Sequence, residues 1–293
     1  MSVDHNERTA KEIIAMSDVQ RGSPKKTGPS GTGLYVYCIA ESDAARAIAT
    51  ESLPAAIEED ASLELIGVDD FAAVTSQVPL SMYGEESLED NLNEATWTAV
   101  RAMRHERVVE YFAKRTGVVP LRFGTIYLER DGVERMLSEK ADELKEIIQR
   151  IGGSEEWGVN VFSDREKLLN AVTELSPKLR DLTEQARNTS PGQAYLLQKK
   201  IQGLRTDESR NELVRIVDEI EARLSRKAKA GKRLRVLKVE ATESGELKAK
   251  FAFLVEKTSF DDFRDEAEKI AKEFTKIGIR LELTGPWPTY NFA

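Results

Sequence analysis

The sequence has one cysteine, two histidines and no long apolar run. Cys38 alone cannot close an intrachain disulfide, and no Cys/His cluster has the spacing of metal ligands. His5 and His105 are too few for a multi-histidine centre. No window approaches the roughly 20 apolar residues of a membrane span. Positive charge is in deficit: 43 Lys and Arg stand against 51 Asp and Glu, a formal charge of −8. That balance argues against a protein whose main task is neutralising nucleic-acid phosphates. The nucleophile elbow GxSxG, the phosphate loop GxxxxGK[ST] and a GxGxxG following a strand are all missing. Gly31-Thr32-Gly33 precedes its strand, so it is not a dinucleotide turn.

What is present describes a globular chain. Its 293 residues are 40% hydrophobic and 32% charged, enough for two ordinary domains with real cores. Residues 1–32 carry charge throughout, and their longest apolar run is Ile13-Ile14-Ala15-Met16. The stretch Arg21–Gly33 is rich in Gly, Pro, Ser, Thr and Lys, a composition that buries too little to order itself. Residues 1–32 are therefore expected to form a disordered tail without a targeting signal, with at most a short amphipathic turn around Ile13, Ile14 and Val19. A lone cysteine fits a cytoplasmic setting.

Periodicity predicts the elements. LYVYCIA (34–40) reads as a buried strand, 43–50 as a short helix, the segment around Leu63 and Leu65 as a second strand and FAAVTSQVP (71–79) as a third. From Leu88 the period turns helical, with Leu92, Ala95, Ala99, Met103 and Phe112 near one face, up to Gly117. VVPLRFGTIYLE (118–129) contains Pro and Gly and suits an edge or bulged strand. A helix over 132–151 ends at Gly152-Gly153. Trp157, Val159 and Val161 then alternate as a half-buried strand. Leu168, Val172, Leu175, Leu179, Leu182 and Ala186 are spaced as a heptad seam, which resumes after Ser190-Pro191-Gly192 and runs to Leu224. Strands return over 234–239 and 248–256 about a Ser244-Gly245 turn. A helix follows from Phe260 to Ile277, and a last strand includes Ile279, Leu281 and Leu283. Each half has the order βαββαβ. The expected fold class is α+β: two ferredoxin-like α/β domains, at 33–130 and 154–293, joined by a connecting helix at 131–153. The second carries a helical hairpin or coiled coil at about 164–230 and an aromatic C-terminal tail. A sheet with helices on one face would leave its other face open to a partner.

No reacting constellation emerges. Cys38 lies mid-strand among apolar residues and reads as a small buried hydrophobe. His105 in MRHERVVEY reads as a surface or packing residue, and the acidic runs Glu85-Glu86, Glu58-Glu59-Asp60 and Asp69-Asp70 as solvated loop charge. The basic run Arg223–Arg235 can complement a helix end or meet an acidic partner. Arg122 is either solvent-facing or an ion-pair anchor between Leu121 and Phe123. Trp287, Tyr290 and Phe292 give the last residues much apolar area on few rotatable bonds. They either fold back over their own domain or face another protein. Arg122, Phe123, Trp287, Tyr290 and Phe292 are the candidate partner-binding residues.

LYVYCIA, FAAVTSQVPL (71–80), HERVVE (105–110), VVPLRFGTIY (118–127), EEWGVNVF (155–162), SPGQAYLLQKK (190–200) and GPWPTYNFA (285–293) together resemble the GvpF/GvpL family of gas vesicle proteins. The likeness covers about 33–293, in the family's order. It implies two ferredoxin-like domains with a coiled-coil element, no enzymatic activity and no cofactor, metal or small-molecule substrate. It also implies a cytoplasmic, gas-vesicle-associated accessory protein that binds the hydrophobic shell protein GvpA and other Gvp proteins and limits GvpA aggregation during nucleation. The motif residues are Pro120, Arg122, Phe123, Gly124, Trp157, Gly158, Tyr195, Trp287 and Pro288. The open-face argument assigns the GvpA contact to the N-terminal half. Two alternatives remain: a self-assembling vesicle scaffold, with oligomers lost on charging Leu175 or Leu179, and a ligand-binding module or enzyme on the same fold.

Overall fold

The computed structural model describes residues 31–236, 241–242 and 245–293. The tail expected at 1–32 therefore lies almost wholly outside the described residues, as do positions 237–239 of the expected 234–239 strand and Ser244 of the turn after it. Two compact units divide the chain: one runs to Gly153 and also takes Pro288–Ala293, and the other is Ser154–Trp287.

In the first unit, β1 (Thr32–Glu41), β2 (Leu63–Val68), β3 (Phe71–Pro79), β4 (Val118–Pro120) and β5 (Ile126–Tyr127) form an antiparallel sheet ordered β2-β3-β1-β4, with β5 also on β1. The β4 and β5 pieces replace one expected strand. Pro120 removes a donor and Gly124 takes φ 82°, so pairing is interrupted between them. Helix α1 (Ser42–Ala49) follows β1; α2 (Leu80–Tyr83) and α3 (Glu85–Leu92) lead to α4 (Ala95–Ala113). Helix α4 buries Thr98, Ala102, His105, Val109 and Phe112, spaced 4, 3, 4, 3. The expected stripe was rotated from this one, and Met103 is exposed. The chain restarts its helix at Glu94, which resets the phase.

The second face of this sheet is covered, contrary to the open-face expectation. Phe71-Ala72-Ala73-Val74-Thr75-Ser76 are all buried, so both faces of β3 are enclosed. The expected connecting helix at 131–153 is two helices, α5 (Arg130–Glu139) and α6 (Ala141–Ile151), broken at Lys140. They belong to this unit: α5 packs on β2, β3 and β5 and α6 on β4, burying Val133, Leu137, Leu144 and Ile151.

In the second unit, β6 (Ser154–Ser163), β7 (Ala230–Leu234), β8 (Ala241–Thr242), β9 (Gly245–Glu256) and β10 (Ile279–Trp287) form an antiparallel sheet ordered β10-β6-β9-β7, with β8 on β9. Strand β7 starts four residues earlier than its sequence pattern suggests. Helix α10 (Phe260–Phe274) packs on β9 and β10 and buries Phe263, Ala267 and Ile270 in this unit's core. Between β6 and β7 the expected first long helix is broken into α7 (Arg165–Leu175) and α8 (Pro177–Arg187), and α9 (Pro191–Ser225) runs back along both. Ser176 sets the break: it caps α8 ahead of Pro177 at the first helical position, and its hydroxyl donates to the buried Glu208 at 2.7 Å. Leu179 is fully buried with Val172, Leu182 and Ile201, and Leu175 packs on the core of the second unit. Charging either one therefore disrupts the arm itself, so the oligomer test framed on them does not isolate self-association.

Candidate functional site

The first unit gathers its buried polar chemistry on β1 and α4. Alternation on β1 sends Tyr35 and Tyr37 to the α4 side, and the buried stripe of α4 brings His105 to them. His105 is 0% exposed. Its ring stacks on Tyr37 (5.8 Å, 23°) and meets the edges of Tyr35 and Phe123. The Tyr290 hydroxyl donates to Glu106 Oε2 at 3.0 Å, so its oxygen receives the Nε2–H of His105 at 3.1 Å. Nδ1 then accepts from Tyr35 Oη at 2.9 Å, and Tyr35 accepts from the Gly124 N–H at 3.0 Å. The network thus assigns the Nε2–H tautomer. Burial pushes His105 down to about 3, against the pull of the Leu121 carbonyl. A histidine that stays neutral through the physiological range links hydroxyls; it does not cycle protons as a base would. Desolvation also raises Tyr35 well above its ordinary value, moves Tyr37 up to about 12 and raises the Cys38 thiol, so that thiol is unreactive.

A second group holds the loop before β2. Arg101 is bidentate to Glu58 (2.8 and 3.1 Å), Tyr83 donates to Glu58 at 2.5 Å, and the guanidinium lies 4.2 Å above Trp97. Arg104 donates to the Ile57 carbonyl at 3.0 Å and pairs with Glu59. Glu58-Glu59, read from sequence as loop charge, is thus a clamp onto α4.

The aromatic tail docks here rather than on the domain that precedes it. Residues 288–293 belong to the first unit. Tyr290 reaches His105 and Glu106, Thr289 donates to the Val118 carbonyl at 3.4 Å, and Arg150 donates to the Phe292 carbonyl at 2.8 Å. Phe292 is 4% exposed and Phe123 is 8% exposed, so in this arrangement neither offers surface to a partner. Tyr290 is partly buried, and Arg122 is exposed between β4 and β5. Trp287 lies in the second unit, with Nε1 donating to Thr284 Oγ1 at 3.3 Å. The five sequence-derived candidates therefore do not form one surface. Phe123 and Tyr290 meet at His105, and Phe292 closes the tail. Tyr35, Tyr37, Tyr83 and Arg101 are not among the sequence candidates, and Glu58 reads there only as loop charge. The available signal was the stripe 98-102-105-109-112, hidden because Thr98 and His105 look polar.

Several motif residues have local reasons. A side chain at Gly158 would put a Cβ 2.5 Å from Thr284 Oγ1, so only glycine lets β10 and Trp287 close on β6. Trp157 stacks on Phe260 at 4.1 Å. Tyr195 is 56% exposed, with Lys199 Nζ 5.1 Å from its ring centre. The basic run ends as structure: Arg223 binds Glu266 and Glu273, and Arg233 binds Asp218 and Glu221. Among the described residues no group of three or more His, Cys, Asp or Glu is placed to hold a metal ion. No helix among them is long and apolar enough to cross a membrane.

Residues 33–293 match the family described as gas vesicle synthesis protein GvpL/GvpF. Gas vesicle protein L of Streptomyces sp. (strain CB03234) is 27% identical over 225 residues, covering 76% of this chain and 80% of that protein. Gas vesicle protein L1 of Halobacterium salinarum is 23% identical over 268 residues, covering 89% and 90% respectively. The crystal structure of GvpF from Anabaena sp. PCC7120 superposes with a TM-score of 0.61 at 20% identity, over 90% of this chain and 96% of that one. At that identity the structural likeness is one of fold, mixed α and β with antiparallel sheets. The sequence match covers all but the first 32 residues, and by it the chain belongs to the GvpL/GvpF family of gas vesicle synthesis proteins.

Proposed function

We propose that this protein is a non-catalytic accessory factor of gas vesicle formation. It binds the small hydrophobic shell subunit GvpA, together with other accessory Gvp proteins, and keeps the subunit from aggregating while the vesicle nucleates. The observation that carries the reading is the family match over 33–293. Physical chemistry supports the rest. A shell subunit with apolar β surface self-associates unless a partner covers a face or an edge. A chain of net charge −8 keeps such a complex dispersed. The strand orders β2-β3-β1-β4 and β10-β6-β9-β7, antiparallel throughout, are read as two ferredoxin-like sheets. With the second face of the first sheet covered, the contact proposed for the N-terminal unit lies at the outer edge of β2, one of the two ends of the strand order. No strand pairs there among the described residues, and Leu63, Leu65 and Val68 are only half buried. Strand addition at that edge is the mode of contact proposed.

Co-expression tests the function. GvpA is expected to stay in solution and co-purify with this chain, and to pellet without it. GvpA pelleting equally in both cases sinks the reading. For the surface, a photo-cross-linking residue at the exposed Glu64 of β2 is expected to capture GvpA, and one at the exposed Arg280 of β10 is not. The reverse pattern moves the contact to the second unit.

A further inference from the structure

Between α8 and α9 lies an open cleft of about 800 Å³, toward the end of the helical arm. One wall is a single face of α8, where Asp181, Glu184, Gln185 and Asn188 follow one another at helical spacing. The other wall is α9, which contributes Leu196 and Leu197. Leu196 is 65% exposed, beside the half-exposed Tyr195. No Lys or Arg lines the cleft, and neither Asp181 nor Glu184 enters an ion pair among the described residues. Leu197 also packs on the apolar pairing that holds the arm together, Leu179 and Leu182 with Ile201, so the cleft floor is continuous with the core of the arm.

We propose that this cleft receives a cationic amphipathic helix of a partner protein, with leucine-like side chains along one stripe and Lys or Arg beside it. Charge complementarity selects the sign: the lining carboxylates and amides accept hydrogen bonds from ammonium or guanidinium groups, and a protein of net charge −8 draws cationic segments from a distance. The walls select the shape, since two antiparallel helices form a groove into which a third helix lays its apolar stripe. Asp181 and Glu184 are both exposed, so each ion pair adds little alone and the leucine floor must supply the remainder. Charge without apolar stripe, or stripe without charge, is therefore insufficient. An anionic membrane is disfavoured by the carboxylate wall, and a second copy of this acidic chain by mutual repulsion.

The test uses the full chain and three labelled synthetic helices followed by fluorescence anisotropy: Leu/Lys, the same with Glu for Lys, and the same with Ala for Leu. The Leu/Lys helix is expected to bind at least about tenfold more tightly than either of the others. Asp181→Lys with Glu184→Lys, and separately Leu196→Glu, are each expected to weaken it about tenfold or more. All three positions are exposed, and unchanged far-UV circular dichroism confirms the fold. Glu86→Lys with Glu89→Lys on α3 makes the same change of net charge elsewhere and is expected to leave binding intact. Equal loss in that control reduces the effect to diffuse attraction and overturns the proposal, as does unchanged affinity in the cleft variants. Capture of anionic vesicles in place of the peptide, or a concentration-dependent dimer abolished by Leu196→Glu, reassigns the exposed Tyr195 and Leu196 and also overturns it.

Discussion

His105 joins groups that are far apart along the chain: Tyr35 lies 70 residues before it and Tyr290 lies 185 after it. Replacing it with Ala removes both bonds and leaves the buried Tyr35 hydroxyl proton without its acceptor, a loss expected at about 1–3 kcal/mol and read as a drop in the thermal midpoint. Its titration has a definite sign. The folded value near 3 lies below the ordinary value of 6.5, so the unfolded chain takes up the proton first. Stability is then full above about 6.5 and falls as pH drops toward 3. His105→Gln, measured by denaturant unfolding across that window, is expected to flatten this part of the slope. An unchanged slope would assign acid sensitivity to carboxylates instead. In the other unit the sign is the same: Asp164, held low chiefly by the Lys167 N–H, stabilises its helix when ionised, and that contribution is likewise lost as pH falls.

At the scale of elements, two breaks shape the arm and its junction. Ser176 both caps α8 and satisfies Glu208, so Ser176→Ala is expected to cost about 1–2 kcal/mol, measured as a shift in urea midpoint. Lys178 also donates to Glu208 and is the main cause of its lowered pKa. At the other end, Gly278 has φ 85°, and an added Cβ would lie 2.6 Å from that of Lys167. Gly278→Ala is expected to destabilise the turn into β10 more than Gly192→Ala does at the start of α9, where nothing lies within 4 Å. Thermal unfolding of the two variants side by side reads the difference.

At the scale of the molecule, the chain leaves its first unit at Gly153 and returns to it at Pro288. The last six residues therefore complete a unit begun more than a hundred positions earlier. Deleting 288–293 is expected to expose the His105 network and to speed limited proteolysis within 31–153, with β6–β10 protected for longer. Uniform protection throughout would show that the tail is dispensable to the first unit. The same truncation leaves the α8–α9 cleft intact, so peptide binding there is expected to persist.

Composition and periodicity alone determined that this is an α+β chain with alternating strands and amphipathic helices, and seven short segments sufficed to identify its relatives. These features are local: a strand or helix writes its buried face into residues two, three or four apart. Partner choice across the fold is not written that way. His105 and Thr98 occupy core positions because hydroxyls from β1 and the tail, and carbonyls at the end of α3, satisfy them. Residue type alone marks both as polar. Phe71-Ala72-Ala73-Val74 reads in sequence as a strand, but only the placement of α5 and α6 showed that its second face is covered as well. The destination of GPWPTYNFA was likewise decided by tertiary structure, because aromatic area favours burial somewhere, while the Glu106, His105, Val118 and Arg150 groups that fix where it docks come from helices and a strand elsewhere in the sequence.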